Sequence, residues 1–112
     1  MRNDATVRVT LDGKTVASCR IPAADQFAVA ANLAYRWYDE IAAGTKKVEH
    51  RDLTEYWEGR LFRDKGEDET IPASFIKFTR GYTKKHMTWT VERIDIDLKN
   101  RQYHIHLGKQ VE

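Results

Sequence analysis

Gly44-Thr45-Lys46-Lys47-Val48-Glu49-His50-Arg51 is the stretch on which the reading of this chain turns. Gly44 follows a segment compatible with a short helix, and glycine suits the left-handed position just past a helix end. The residues after it read as a turn leading into a charged strand. Successive side chains alternate in a strand, so Lys47, Glu49 and Arg51 fall on one face and Lys46 on the other, closer to the turn. A lysine beside the turn and a carboxylate within the strand could converge on one small cavity at the helix end, with Arg51 orienting the carboxylate. The plainer reading of the same residues is a solvated, charged strand.

Around this stretch lies a chain of 112 residues, enough for one domain with a single core and too few for two. Its 41% hydrophobic, 32% charged and 11% aromatic residues are those of a folded globular protein. A formal net charge of +2 is small, so any attraction for nucleic acid must come from a local patch. Cys19 is the only cysteine and cannot close an intrachain disulfide. No apolar run reaches the length of a signal sequence or a membrane span, so a cytoplasmic protein without membrane contact is expected.

Residues 5–11 alternate, with Ala5, Val7, Val9 and Leu11 on one face and Thr6, Arg8 and Thr10 on the other, as a half-buried strand does. Asp12-Gly13 suits a tight turn, Ala17, Cys19 and Ile21 form the inward face of a returning strand, and Pro22 ends the hairpin. Beyond Arg51, the residues Leu53, Tyr56, Trp57, Leu61 and Phe62 trace a helical stripe that Gly59 interrupts. Residues 65–70 hold no apolar side chain and read as an exposed loop, and residues 74–79 as a strand. Residues 87–98 form the longest strand. Their apolar positions change parity between Trp89/Val91 and Ile94/Ile96/Leu98, which calls for burial on both faces or a bulge near Glu92 and Arg93. Asn100 marks a turn, and Tyr103, Ile105 and Leu107 are the inward face of the last strand.

The spacing G-x-K-x-x-E-x-R resembles the signature of the ASCH domain family, which belongs to the PUA-like group of small β-barrels associated with RNA. The resemblance extends to Trp37-Tyr38-Asp39-Glu40-Ile41, Tyr56-Trp57-x-x-Arg60-Leu61, Ile76-Lys77-Phe78-Thr79-Arg80-Gly81-Tyr82 and Ile105-His106-Leu107-Gly108. It thus spans roughly residues 27–108 and takes in small phage-type members, with the hairpin of residues 1–22 as an addition outside it. It also bears on residues 23–43, where helix propensity alone would run one helix over 25–43. The family pattern implies instead a strand over 27–33 and a helix over 35–43. Tyr35, Tyr38 and Ile41 share a helical face in either reading and are expected to pack inward. One related branch hydrolyses the acyl amide of modified cytidines with a lysine, a threonine three residues on, and a distant glutamate. The lysine matches Lys46, but the threonine position holds Glu49, and a carboxylate does not replace a hydroxyl nucleophile in that mechanism. Thr79, from another strand, is then the hydroxyl that could approach.

Arg80, Lys84, Lys85 and His86 surround Tyr82 in a basic connection that could hold phosphates while the ring stacks a base, or simply keep a hairpin loop soluble. His104-x-His106 puts two imidazoles on one strand face. Without a cysteine or a clear carboxylate partner this reads as a surface pair, and no metal site is expected. Trp37, Trp57 and Trp89 read as core by the apolar spacing around them, and Asp95 and Asp97 as the polar face of a strand.

Together these readings predict an α+β domain, a small PUA-like β-barrel with one main helix and an added N-terminal hairpin. The expected function is to bind RNA or a nucleotide-like ligand, without a cofactor, in a cleft bordered by Gly44, Lys46, Glu49, Arg51, Tyr56, Trp57, Arg80, Tyr82, Lys84 and Lys85. Two alternatives stand beside it. One is a hydrolase or ribonuclease centred on Lys46, Glu49 and Thr79; the other is a phage or mobile-element protein that binds a host protein through the same scaffold.

Overall fold

The computed structural model describes residues 5–11, 13–21, 27–64 and 70–112. In chain order its elements are β1 (Ala5–Leu11), β2 (Lys14–Ile21), β3 (Ala28–Leu33), α1 (Tyr35–Ala42), β4 (Val48–Asp52), α2 (Glu55–Leu61), β5 (Phe62–Asp64), β6 (Thr70–Pro72), β7 (Phe75–Arg80), β8 (His86–Asp97) and β9 (Gln102–Gln110). This is a mixed α+β fold built on one large sheet. Asp12, Pro22 and residues 65–69, read above as turn, hairpin end and loop, lie outside the described residues, as do the side chains of Ala17, Cys19 and Ile21.

β8 organises the sheet. One of its edges pairs with β9, and the other is shared: its first half pairs antiparallel with β7, and its second half pairs parallel with β1. The division falls where the β8–β9 register shifts, between Trp89 and Val91 and again between Val91 and Arg93. There the extra residue lets Trp89 and Ile94 serve the same face. β3 adds to β7 in parallel and β4 adds to β9 antiparallel. The result is a five-stranded strip, β3-β7-β8-β9-β4, with the β1–β2 hairpin branching from β8.

The strip curls. Arg51 on β4, at one end, donates from Nη2 to the backbone oxygen of Asn32 on β3, at the other, at 3.2 Å. No backbone ladder joins these two strands among the described residues, so the sheet does not close into the expected barrel. Side chains fill the seam instead.

Residues 28–33 form the strand implied by the family pattern and not the helix favoured by propensity. Val29, Ala31 and Leu33 are buried while Ala28, Ala30 and Asn32 are exposed. This period of two, paired with β7, outweighs the modest helix preference of alanine. The backbone of Ala34 is still extended (φ −56, ψ 150), so α1 starts only at Tyr35. α1 buries Tyr38 and Ile41, whereas Tyr35, expected inward, is 51% exposed. Tyr35 packs instead against the backbone of Gly81. Past α1, Gly44 takes φ +81 and donates its N–H to Ile41 O at 3.0 Å, the left-handed exit that its position suggested. α2 is capped by Thr54, whose side chain accepts from Trp57 N at 3.3 Å, and tolerates Gly59 without a break.

The registers place the core on one face of the strip. Val29, Ile76 and Trp89 lie side by side across β3, β7 and β8, as do Ala31, Phe78 and Met87. Ile94 and Ile105 continue that face into β9, and there Glu49 of β4 stands opposite Ile105 and Arg51 opposite Tyr103. Two charged side chains of β4 thus point to the apolar side of the sheet, where they must find partners.

Candidate functional site

Glu49 is only 6% exposed, and each of its oxygens is engaged. Oε1 accepts from the backbone N–H of His50 at 3.0 Å and lies 3.6 Å from Lys46 Nζ. Oε2 accepts from Arg51 Nη2 at 3.1 Å. Glu49 and Arg51 therefore share a face as the alternation required, but Lys47 does not join them: β4 begins at Val48, and Lys47 is exposed. A buried carboxylate with three cationic or N–H partners is held as a structural anchor. What it anchors is Arg51, whose guanidinium carbon sits 4.7 Å from the centroid of the Trp57 ring. The ammonium of Lys46 lies 5.1 Å from the centroid of the Trp37 ring, an aromatic contact.

Beyond Arg51 the seam opens into a cleft of about 500 Å³. β3 contributes Ala30, Ala31 and Asn32, and α2 contributes Tyr56, Trp57 and Arg60. Thr79, Gly81, Tyr82 and Thr83, from the end of β7 and the turn after it, close the other side. Arg60 Nη2 donates to Ala30 O at 2.6 Å, as Arg51 does to Asn32 O two residues on. Arg60 also lies 5.3 Å from the centroid of the Tyr56 ring and 5.7 Å from that of Trp57. Both guanidiniums are held in place by the open edge of β3 and by aromatic faces, and the Nε of each is buried with no hydrogen-bond partner. Two aromatic rings remain presented at the mouth, Tyr56 at 62% exposure and Tyr82 fully exposed. Gly81, at φ +56, turns the chain there and donates its N–H to Leu33 O at 2.8 Å. Among the described residues, no Asp, Glu, His or Lys lines this cleft.

The cleft therefore collects part of the expected set. Arg51, Tyr56, Trp57, Thr79 and Tyr82 line it. Gly44, Lys46 and Glu49 do not, and Lys46 and Thr79 do not share its wall. The basic connection contributes its tyrosine and not its cations. Arg80 is committed to Asp39 by two 3.0 Å hydrogen bonds and lies 4.2 Å from the centroid of the Tyr35 ring. That guanidinium holds the Asp39 carboxyl below the usual range. Lys84 and Lys85 are exposed and off the lining. Arg60 was not among the expected site residues. Its signal was the Tyr56-x-x-x-Arg60 spacing, which puts an aromatic ring and a guanidinium on one helix face.

A second polar cluster occupies the opposite face of the sheet, where registers align Arg8, Asp95, His104 and His50 across β1, β8, β9 and β4. Asp95, read as part of the polar face of a strand, is 5% exposed. Arg8 grips it with two hydrogen bonds of 2.9 and 2.8 Å, Arg93 adds one at 2.9 Å, and His106 Nε2 lies 3.0 Å from its Oδ2. Burial alone would raise the Asp95 carboxyl, but the Arg8 hydrogen bond and the charges of Arg93 and His106 outweigh it and hold it at about 2. Burial, with the Arg93 charge beside it, pushes His106 below its ordinary value. His50 stacks on His104 with ring centroids 4.5 Å apart and is lowered by burial and by that neighbour. No group of three His, Cys, Asp or Glu among the described residues is placed to hold a metal ion.

Comparison with protein-family models, with curated proteins and with solved structures finds no match. No helix among the described residues is long and apolar enough to cross a membrane.

Proposed function

We propose that the protein binds RNA or a nucleotide-like ligand in the cleft between the open edge of β3, α2 and the turn after β7. The observation that carries this reading is the composition of one cavity. Two pre-oriented guanidiniums, Arg51 and Arg60, stand beside the exposed rings of Tyr56 and Tyr82, with no carboxylate in the lining among the described residues. Guanidiniums suit phosphate, and aromatic faces suit bases. The scaffold in this reading is a PUA-like one of the ASCH type left unclosed, and the protein a cytoplasmic RNA-binding one. The hydrolytic alternative has less support, because Lys46 and Glu49, the polar centre it needs, lie outside the wall that carries Thr79.

Titration of adenosine 5′-phosphate and a short single-stranded RNA at low salt tests the reading. Tyr56→Ala removes an exposed ring without touching the core, and should weaken binding by the ~1–3 kcal/mol that base stacking contributes. No binding of either ligand at low salt, or equal binding by the variant, would count against the cleft.

A further inference from the structure

The cleft does not end at Arg60. A second hollow of about 330 Å³ continues it along β3, walled by Ala28, Val29, Gly59 and Arg63 and sharing Ala30 and Arg60 with the first. Arg63 is exposed, its guanidinium carbon 4.0 Å from the centroid of the Phe27 ring. The two hollows form one groove along the unpaired edge of a six-residue strand, a run of ~20 Å at the usual rise per residue. Among the described residues, three arginines line it and no carboxylate does. The carbonyls that anchor Arg51 and Arg60 belong to Asn32 and Ala30, two residues and so ~7 Å apart along the edge. That is the scale of one nucleotide step in an extended strand.

An open strand edge could also accept a peptide as an added strand. Here the outward carbonyls of Ala30 and Asn32 already accept from Arg60 and Arg51, so an incoming strand would find its acceptors occupied. We propose that the groove takes a single-stranded nucleic acid segment of at least two nucleotides, with Arg60 between successive phosphates and Arg63 holding the one beyond. This rests on the nucleotide-binding reading of the cleft and extends it from a pocket to a track. Substrate length, and not only base identity, then sets affinity.

The test is a titration of 5′-phosphorylated oligoadenylates of one, two and four nucleotides against the wild type and Arg63→Ala, with circular dichroism as the check on folding. The expected result is a gain of at least tenfold from one to four nucleotides and a steeper salt dependence for the longer ligand. In Arg63→Ala the gain should be lost while affinity for the mononucleotide is unchanged. Mononucleotide binding with no gain in length, or a gain that survives Arg63→Ala, overturns the track and leaves the cleft reading standing. Failure of every oligoadenylate to bind overturns both. Displacement of the tetranucleotide by an acidic peptide of similar charge would overturn the nucleic acid assignment in favour of a peptide. Should Arg63→Ala not fold, the wild-type salt slopes decide: equal slopes for one and four nucleotides sink the proposal.

Discussion

Arg51 and Asn32 stand at opposite ends of a five-stranded strip and are joined by a 3.2 Å hydrogen bond from guanidinium to backbone. The same Arg51 nitrogen lies 3.1 Å from Glu49, so the seam of the sheet and the wall of the cleft depend on one charge pair set against the core.

Removing Arg51 strands a carboxylate that is 6% exposed. Arg51→Ala should therefore cost about 3 kcal/mol, the range found when a buried charge loses its partner, with Lys46 compensating only in part. The double variant Glu49→Leu/Arg51→Met should cost less than the single one, because it leaves no buried carboxylate, and the Lys46 ammonium that loses its partner is partly exposed. Urea denaturation of the three proteins decides this, and a single-variant loss near zero would show that Glu49 is solvated.

Gly81 joins two constraints, a φ of +56 and the Tyr35 ring lying where a Cβ would go. Gly44 has φ +81 and open space around it. Gly44→Ala should thus lose ~1 kcal/mol from backbone strain alone, and Gly81→Ala distinctly more. In a Tyr35→Ala background the Gly81→Ala cost should fall toward the Gly44 value, a coupling that thermal melts of the double-mutant cycle would register. Equal costs at both glycines would remove the role assigned to Tyr35.

The parity change in β8 was legible because it breaks a period-two pattern within a dozen residues, but the sequence left burial on both faces open beside the bulge that the β8–β9 register shows. The strand at residues 28–33 was not legible from propensity. Its alternation is carried partly by alanines, and only pairing with β7 reveals which of them are covered. Arg60 and Asp95 were missed for a related reason. Each acquires its partners from an element distant in sequence, Arg60 from β3 across the seam and Asp95 from β1 laid parallel to β8. Tyr82, by contrast, was expected in the site from the basic residues beside it and Tyr56 from the family resemblance, and both line the cleft.

The polar face of the sheet should make stability depend on pH in two steps. His106, facing Arg93, Asp95 and Arg8, and His50, facing His104, Lys46 and Glu49, both have folded pKa values below the ordinary one. The unfolded chain then takes up protons first, so stability is full above pH ~6.5 and declines as pH falls below it. Asp95, at about 2 against ~4 when unfolded, adds a second loss of about 2 kcal/mol as pH falls from ~4 toward 2. Urea midpoints at pH 8, 6, 5 and 3 should trace both steps, and His106→Gln should flatten the first, leaving the His50 share, and shrink the second only in part, because Arg8 and Arg93 still hold Asp95. A midpoint that rises between pH 8 and 5 would contradict the burial of these imidazoles.

Lys46 separates an anchoring role from a catalytic one. Its ammonium lies 3.6 Å from Glu49 and against the Trp37 ring, outside the lining of the cleft, so its charge serves the carboxylate that positions Arg51. Lys46→Ala should lower stability modestly, and affinity for a nucleotide should stay within about twofold. Arg60→Ala deletes a guanidinium on the wall and should cost at least ~1.5 kcal/mol of binding, the contribution of a hydrogen bond to a charged group. Thr79 lines the wall, and neither Lys46 nor Glu49 lines it with Thr79 to complete the expected catalytic set. The unmodified protein should therefore show no hydrolysis of an acylated cytidine above the uncatalysed rate. Turnover that disappears in both Lys46→Ala and Thr79→Ala would place the ammonium and the hydroxyl in one catalytic site and reverse the assignment of the cleft to binding.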